Sequence, residues 1–235
     1  MDSIRLFLEC NKIFFEVFSY TIVGIAGVIF SRYQYKSNKR QVEMQKKQIE
    51  MHEKESQPLF KIIFRIDSHE EKNDSELMEL YNEGNPFKSF NYEMKTFLKL
   101  HYFSVDNGIN STYYIPISDY YIRGQKTTNL TGKLLTKSLP KNHAMFYDLY
   151  KETIELSKES NCVFINRLSL IKIEYIDIYN NKQIVYFEDE IQINSNLYNE
   201  IIDKSREVFT IPFCIQEVQL EKIRTHLKSL KLPVF

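Results

Sequence analysis

The sequence is poor in the residues from which catalytic loops and disulfide frameworks are built. Its 235 residues include six glycines, six prolines, three cysteines and no tryptophan. No GxxxxGK[ST], GxGxxG, GxSxG or HExxH motif occurs, which excludes the common phosphate loops, dinucleotide sites, hydrolase elbows and zinc-protease sites. The cysteines, Cys10, Cys162 and Cys214, form no CxxC pair. We therefore expect reduced thiols and no disulfide framework.

An excess of charge of either sign is also missing. The chain has 31 basic and 31 acidic residues and a formal net charge of zero, whereas nucleic-acid-binding proteins usually carry a basic excess. We therefore predict no nucleic-acid partner. Aromatic residues, by contrast, are plentiful, with 16 tyrosines and 17 phenylalanines. Together with many isoleucines and valines, they favour β-strands in the globular part.

One long apolar run, IFFEVFSYTIVGIAGVIF, covers residues 13–30 and contains a single ionisable residue, Glu16. At about 1.5 Å per residue it spans roughly 27 Å as a helix, close to the hydrocarbon thickness of a bilayer. We predict an uncleaved transmembrane helix; a signal peptide and a buried helix of a soluble protein are the alternatives. The basic residues after the run predict a single-pass protein of the inner (cytoplasmic) membrane, with its N-terminus outside and its C-terminal domain in the cytoplasm.

A heptad repeat follows the apolar run, since QVEMQKK at residues 41–47 is almost repeated by QIEMHEK at residues 48–54. Val42 and Ile49 are one heptad apart, but Met44 and Met51 fall on nearly the opposite helix face. A coiled coil requires a longer pattern with two apolar positions per heptad. The segment is predicted to be a polar helical stalk, and self-association through a coiled coil is left open.

After Pro58 the pattern changes to one typical of strands. Residues 90–103, FNYEMKTFLKLHYF, alternate between an apolar and a polar face, which is the period of a strand with one buried side. The segments CVFINRLSLIKIEYIDI and QIVYFEDEIQI flank YNNK at residues 179–182, as the strands of a β-hairpin do. Helices are predicted at residues 142–161, with Asn142 as the N-cap, and near residues 197–209 and 216–230.

These elements predict an α+β protein in three parts. An N-terminal transmembrane helix continues into a polar helical stalk. A mostly antiparallel, β-sandwich-like domain with an inserted helix and two C-terminal helices follows. The predicted boundaries are an anchor at residues 1–30, a stalk at 31–57 and a cytoplasmic β-rich domain at 58–235.

The segments QPLFKIIFRI (residues 57–66) and LMELYNEGNPFKSFNYEMKTFLKL (residues 77–100) follow an apolar helix and a charged helix. In this order the chain resembles a loose group of bacterial single-pass membrane-anchored proteins with a cytoplasmic β-rich domain. The resemblance implies a sandwich on a cytoplasmic stalk. It implies no active site, so no functional residue is carried over from it.

Two acidic stretches have the residue types of divalent-cation sites. DSHEE, Asp67–Glu71, gathers acidic side chains around His69. EDE, Glu188–Glu190, is expected in a strand, as are the paired carboxylates of metal-dependent nucleases. Solvated surface charge is the preferred interpretation of both stretches. We assign no catalytic, cofactor-binding or metal-binding residue and predict no cofactor.

Four tyrosines, Tyr113, Tyr114, Tyr120 and Tyr121, lie within nine residues. Tyrosine is favoured at interfaces because its ring is apolar and its hydroxyl is polar, so this segment is the candidate interaction surface. Half or more of these tyrosines are nevertheless expected to pack in the core.

The function expected from the sequence is a non-enzymatic, membrane-anchored cytoplasmic binding or sensor module, in a stress or phage-defence system. Its expected partners are the lipid bilayer and either another protein or a second copy of the chain. One alternative is a membrane-disrupting effector that oligomerises through its anchor. The other is a hydrolase whose site is assembled only in the fold.

Overall fold

The computed structural model describes residues 2–67, 75–104, 108–157 and 161–233. The chain divides into two compact units, Met1–Ser56 and Gln57–Phe235. Four residues of the acidic stretch DSHEE, at positions 68–71, lie outside the described residues, so the structure does not test that candidate.

The first unit consists of two helices, α1 (Asp2–Cys10) and α2 (Lys12–Glu55). From residue 31 to residue 57 the chain has neither glycine nor proline and is rich in lysine, arginine, glutamate and glutamine, which are good helix formers. The helix ends shortly before Pro58, because a proline disfavours helical geometry in the residue that precedes it. The apolar residues of the heptad repeat, Val42, Met44, Ile49 and Met51, are all exposed on α2.

Among the described residues, no helix combines the length and the apolarity that a membrane crossing requires. On this finding, the prediction of a transmembrane helix over residues 13–30 is wrong. The predicted single-pass placement in the inner membrane, with the N-terminus outside and the domain in the cytoplasm, is wrong with it. Helix α2 carries Glu16, Ser19 and Thr21 among its apolar residues and is charged from Arg32 onwards, and such groups are costly to remove from water.

The second unit contains the β-structure. Its described strands are β1 (Phe60–Asp67), β2 (Ser75–Asn82), β3 (Ser89–Ser104), β4 (Ile109–Ser118), β5 (Arg123–Lys126), β6 (Gly132–Ser138), β7 (Asn161–Ile176), β8 (Lys182–Glu188), β9 (Ile191–Ile193) and β10 (Phe213–Cys214). Its described helices are α3 (Asn142–Leu156), α4 (Ser195–Val208) and α5 (Leu220–Ser229).

The strands form two sheets. One has the order β1-β2-β6-β5 and the other the order β10-β4-β3-β7-β8-β9. Of the strand pairs described, β10 with β4 is parallel and the others are antiparallel. The longest pairing joins β3 to β7, from Ser89↔Ile176 to Ser104↔Asn161. The unit is therefore α+β with mostly antiparallel strands.

The main core lies between the two sheets. The alternation in residues 90–103 is confirmed, since Leu98, Leu100 and Tyr102 are buried on one face of β3 and pack in the same cluster as Ile62 and Leu80 of the other sheet. A second cluster covers the opposite face of the six-stranded sheet. It joins Phe97, Leu168 and Leu170 to the α4 residues Tyr198, Ile201 and Ile202.

Several local predictions need correction. The candidate interaction segment does not continue as a strand through all four tyrosines, because β4 ends at Ser118 and Tyr120 and Tyr121 lie in a turn before β5. Asn142 is not the N-cap of α3, because Lys141 occupies that position. The EDE stretch is not one strand either, since β8 ends at Glu188 and Asp189 has a φ of 52° in the turn to β9.

Candidate functional site

A cavity of about 360 Å³ lies where β4 leaves the six-stranded sheet. The last pair between β3 and β4 is Thr96↔Ile117, whereas the pairing of β3 with β7 continues to Ser89↔Ile176. From Ser89 to Lys95, β3 is therefore paired with β7 alone in the described sheet. The cavity occupies this corner.

Three parts of the chain line the cavity: the ends of β3 and β4, the turn that follows β4, and α4 with the segment after it. The apolar lining is Met94, Phe97, Pro116, Ile117, Ile202, Phe209 and Pro212. The polar and charged lining is Lys95, Thr96, Ser118, Asp119, Tyr120, Tyr121, Ser205, Arg206 and Thr210. Small-molecule sites are concavities that combine apolar surface with placed polar groups, and the lining of this cavity provides both.

A second cavity of about 270 Å³ adjoins the first and shares Lys95, Ile202 and Arg206 with it. Arg206 projects from the last turn of α4 and borders both cavities. Lys95 is held in an ion pair with Glu93 at 2.9 Å. Within the part of the chain that the structure describes, Arg206 forms no ion pair.

The turn that lines the cavity is fixed from behind by a buried carboxylate. Tyr120 is 1% exposed, and its hydroxyl donates a hydrogen bond to Oε2 of Glu76 at 2.8 Å. The other oxygen of Glu76 lies 3.1 Å from Nε of Arg167. Nη1 of Arg167 in turn lies 2.8 Å from Oδ1 of Asp189. The turn that lines the cavity is therefore held in place by an ionic network that joins the two sheets.

Asn142 links this network to the backbone. Its Oδ1 accepts a hydrogen bond from the backbone N–H of Glu76 at 2.6 Å. Its Nδ2 donates to the carbonyl oxygen of Tyr120 at 3.0 Å and to that of Glu76 at 3.1 Å. Asn142 is fully buried, and it joins β2, the turn and α3 at one point. Its Oδ1 also accepts a hydrogen bond from the backbone N–H of His143 at 2.8 Å, so the side chain is shared between α3 and residues distant in sequence.

Burial and the nearby charge of Glu76 raise the pKa of Tyr120 well above its ordinary value. Burial also raises the pKa of Tyr121. Glu76 is close enough to act on both phenols, but only Tyr120 meets hydrogen-bond geometry with it. Burial alone would lower the pKa of Arg167, but the negative charge around it outweighs burial, so the pKa is raised and the guanidinium stays charged.

The four tyrosines of the candidate interaction surface do not share one face. Tyr113 is buried between the sheets and donates a hydrogen bond to the carbonyl oxygen of Pro233 at 2.8 Å. Tyr114 lies on the opposite face of β4 and packs against the α4 cluster. Tyr120 and Tyr121 are buried, and both line the cavity. The structure therefore brings only these last two tyrosines to the candidate site.

The EDE stretch does not form a cation site in the described residues. No group of three or more histidine, cysteine, aspartate or glutamate side chains comes close enough there to hold a metal ion. In EDE, Asp189 is engaged by Arg167 and by the backbone N–H of Ser169 at 2.9 Å. Glu190 instead accepts a hydrogen bond from the backbone N–H of Phe64 at 3.2 Å.

The sequence interpretation missed Glu76, Arg167 and Arg206. A signal for Arg167 was present, because it occupies an inward position of β7 between the buried residues Ile165 and Ile171. A charged residue at an inward strand position needs a partner. Arg206 carried no such signal, since a basic residue in the last turn of a helix is ordinary.

No protein-family model, curated protein or solved structure matches this chain. We therefore infer the role of the cavity from its own geometry and charge.

Proposed function

We propose that the unit formed by residues 57–235 is a binding module for a small organic molecule, which it takes into the cavity beside α4. The observation that carries this proposal is the cavity itself, of about 360 Å³, with apolar, polar and charged residues in its lining. A volume of this size lies at the lower end of the range for ligand sites, roughly 300 to 1,000 Å³.

The rigidity of the cavity wall supports the proposal. Asp119 has a φ of 68°, in the left-handed region that few residues other than glycine adopt. The next residue, Tyr120, is held by Glu76 and Asn142. Because the turn is held in place before any ligand arrives, binding requires little ordering of the chain. This is the arrangement expected of a site formed in advance.

The proposal keeps the binding role expected from the sequence and leaves out its membrane anchor. The effector hypothesis depended on oligomerisation through that anchor, and it is not proposed. No observation in the described structure favours the hydrolase hypothesis over binding.

The test is a ligand-observed NMR screen of the full chain against a library of small molecules that includes acids, bases, zwitterions and neutral compounds. Thr210→Trp places a large ring at the rim of the cavity, where Thr210 is exposed. Ile211→Trp is the matched control, since Ile211 is 76% exposed and does not line the cavity.

We expect hits that bind the wild type and Ile211→Trp equally and bind Thr210→Trp at least ten-fold more weakly. A screen without hits would contradict the proposal. Hits that are indifferent to Thr210→Trp would contradict it too, because they would bind elsewhere.

A further inference from the structure

Two charged side chains that line the cavity have no ion-pair partner in the described structure. One is Arg206, on α4, and the other is Asp119, in the turn after β4. Asp119 accepts a hydrogen bond from the neighbouring Ser118 hydroxyl at 3.2 Å. Both Asp119 and Arg206 are exposed to solvent at the cavity. Arg206 and Asp119 are also not paired with each other, so a cation and an anion border one cavity from separate walls.

The other charges around the cavities are largely compensated. Lys95 pairs with Glu93 at 2.9 Å, and Lys172, in the second cavity, pairs with Glu174 at 2.6 Å. Asp203 lines the second cavity alone and not the first. Arg206 and Asp119 are therefore the charged groups of the first cavity that remain available to a ligand.

A simple anion or a simple cation satisfies only one of these groups and meets like charge at the other. A molecule with both an acidic and a basic group satisfies both, because a guanidinium binds a carboxylate in a two-pronged fashion and a carboxylate accepts from an ammonium group. Met94, Phe97, Ile117, Ile202 and Phe209 also line the cavity and provide apolar surface. That surface suits an apolar or aromatic side chain.

We propose that the ligand is a zwitterion of the amino-acid type with an apolar side chain. Its carboxylate lies on Arg206, its ammonium group lies on Asp119, and its side chain lies against the apolar residues of the lining. This inference rests on the proposed binding function and narrows it to one chemical class.

The test compares four molecules of similar shape and different charge on the full chain by titration calorimetry or NMR. Phenylalanine is the zwitterion, 3-phenylpropanoate the anion, 2-phenylethylamine the cation and N-acetylphenylalanine amide the neutral compound. We expect phenylalanine to bind at least ten-fold more tightly than each of the other three.

Two variants then assign the charges. Arg206→Gln is expected to weaken phenylalanine binding about ten-fold and to leave binding of the amine unchanged or improved. Asp119→Asn, which keeps a residue that tolerates the left-handed backbone, is expected to weaken phenylalanine binding by a similar factor while sparing the anion. Lys204→Gln and Glu207→Gln are the matched controls, because both residues are exposed on α4 and line neither cavity.

The possible outcomes separate the two proposals. If the anion, the cation or the neutral compound binds as tightly as phenylalanine, the zwitterion inference is overturned while the binding function stands. A second outcome also overturns the zwitterion inference and leaves the binding function standing. In that outcome none of the four probes binds, and the library yields hits that Thr210→Trp abolishes, none of which is a zwitterion. If the library yields no such hits, the binding function fails as well.

Discussion

Nε of Arg167 lies 3.1 Å from Oε1 of Glu76, and both side chains are about nine-tenths buried between the sheets. The same guanidinium reaches Asp189 at 2.8 Å and lies 4.2 Å from the centroid of the Phe64 ring. Charges removed from water are tolerated only when they are paired and hydrogen-bonded. This pair therefore couples the two sheets, and through Tyr120 it positions the wall of the proposed site.

We predict that Arg167→Met destabilises the protein by roughly 3 to 5 kcal/mol, because it keeps the apolar stem and leaves two carboxylates without their cation. The control is Lys61→Met, which breaks the half-exposed pair of Lys61 with Glu83 at 2.9 Å and is expected to cost about 1 kcal/mol or less. Urea unfolding of both variants measures the difference. If both variants lost the same free energy of unfolding, the buried pair would contribute no more to stability than the half-exposed pair.

A second prediction separates two adjacent tyrosines. Tyr120→Phe removes a hydrogen bond to buried Glu76 and should cost about 1 to 3 kcal/mol. Tyr121→Phe removes a buried hydroxyl that has no hydrogen-bond partner among the described residues, so it is expected to be neutral or stabilising. The free energy of unfolding of the two single variants decides the matter. A larger loss for Tyr121→Phe would contradict the hydrogen-bond assignment.

A third prediction concerns alkaline pH. The pKa of Tyr120 and of Tyr121 is raised in the folded state, chiefly by burial, while an unfolded tyrosine titrates near pH 10, about its ordinary value. The folded protein thus retains these protons longer than the unfolded chain does. The corresponding stability is present below about pH 10 and is lost as the pH rises above that value.

Unfolding free energies measured from pH 8 to pH 11 test this dependence. The double variant Tyr120→Phe, Tyr121→Phe should lose stability less steeply above about pH 10 than the wild type. Tyr198, whose pKa burial raises to about 12, remains in both proteins and so does not affect the comparison. If the two proteins lost stability equally steeply above about pH 10, the pKa of neither phenol would be raised in the folded state.

The fourth prediction concerns the two units. Every residue of the described core clusters belongs to residues 60–232, so the fragment 57–235 is expected to fold alone with a cooperative thermal transition. In the first unit, many large apolar side chains are more than half exposed, among them Phe14, Phe18, Val23 and Phe30. Exposed apolar surface of this extent favours association.

We therefore expect the full chain to self-associate in analytical ultracentrifugation at a concentration where the fragment 57–235 is monomeric. A monomeric full chain, or a fragment without a cooperative transition, would contradict this expectation. Coiled-coil pairing through the repeat at residues 41–54 stays a prediction, as one specific way in which the full chain could self-associate. Val42→Asp with Ile49→Asp tests that narrower form, with Met44→Asp as the control on nearly the opposite face.

The period of the sequence was enough to predict several elements. Alternation over residues 90–103 identified β3, and the YNNK turn identified the β7–β8 hairpin, where Asn180 has the positive φ of 70° expected of such a residue. The transmembrane prediction relied on the apolar run of residues 13–30 and was wrong on the finding for the described helices. Asn142 was read as a cap from its position alone, although its side chain bonds to residues distant in sequence.

Composition and local spacing thus determined what kinds of elements this protein forms, because helix and strand periods are properties of neighbouring residues. The tertiary structure alone decided that Glu76, Tyr120, Arg167 and Asp189 meet, and that Arg206 and Asp119 border one cavity. These residues come from separate elements, and their meeting depends on the order of strands in the sheets, the packing of one sheet on the other and the docking of α4. No local pattern encodes those relationships, since each results from the packing of the whole unit.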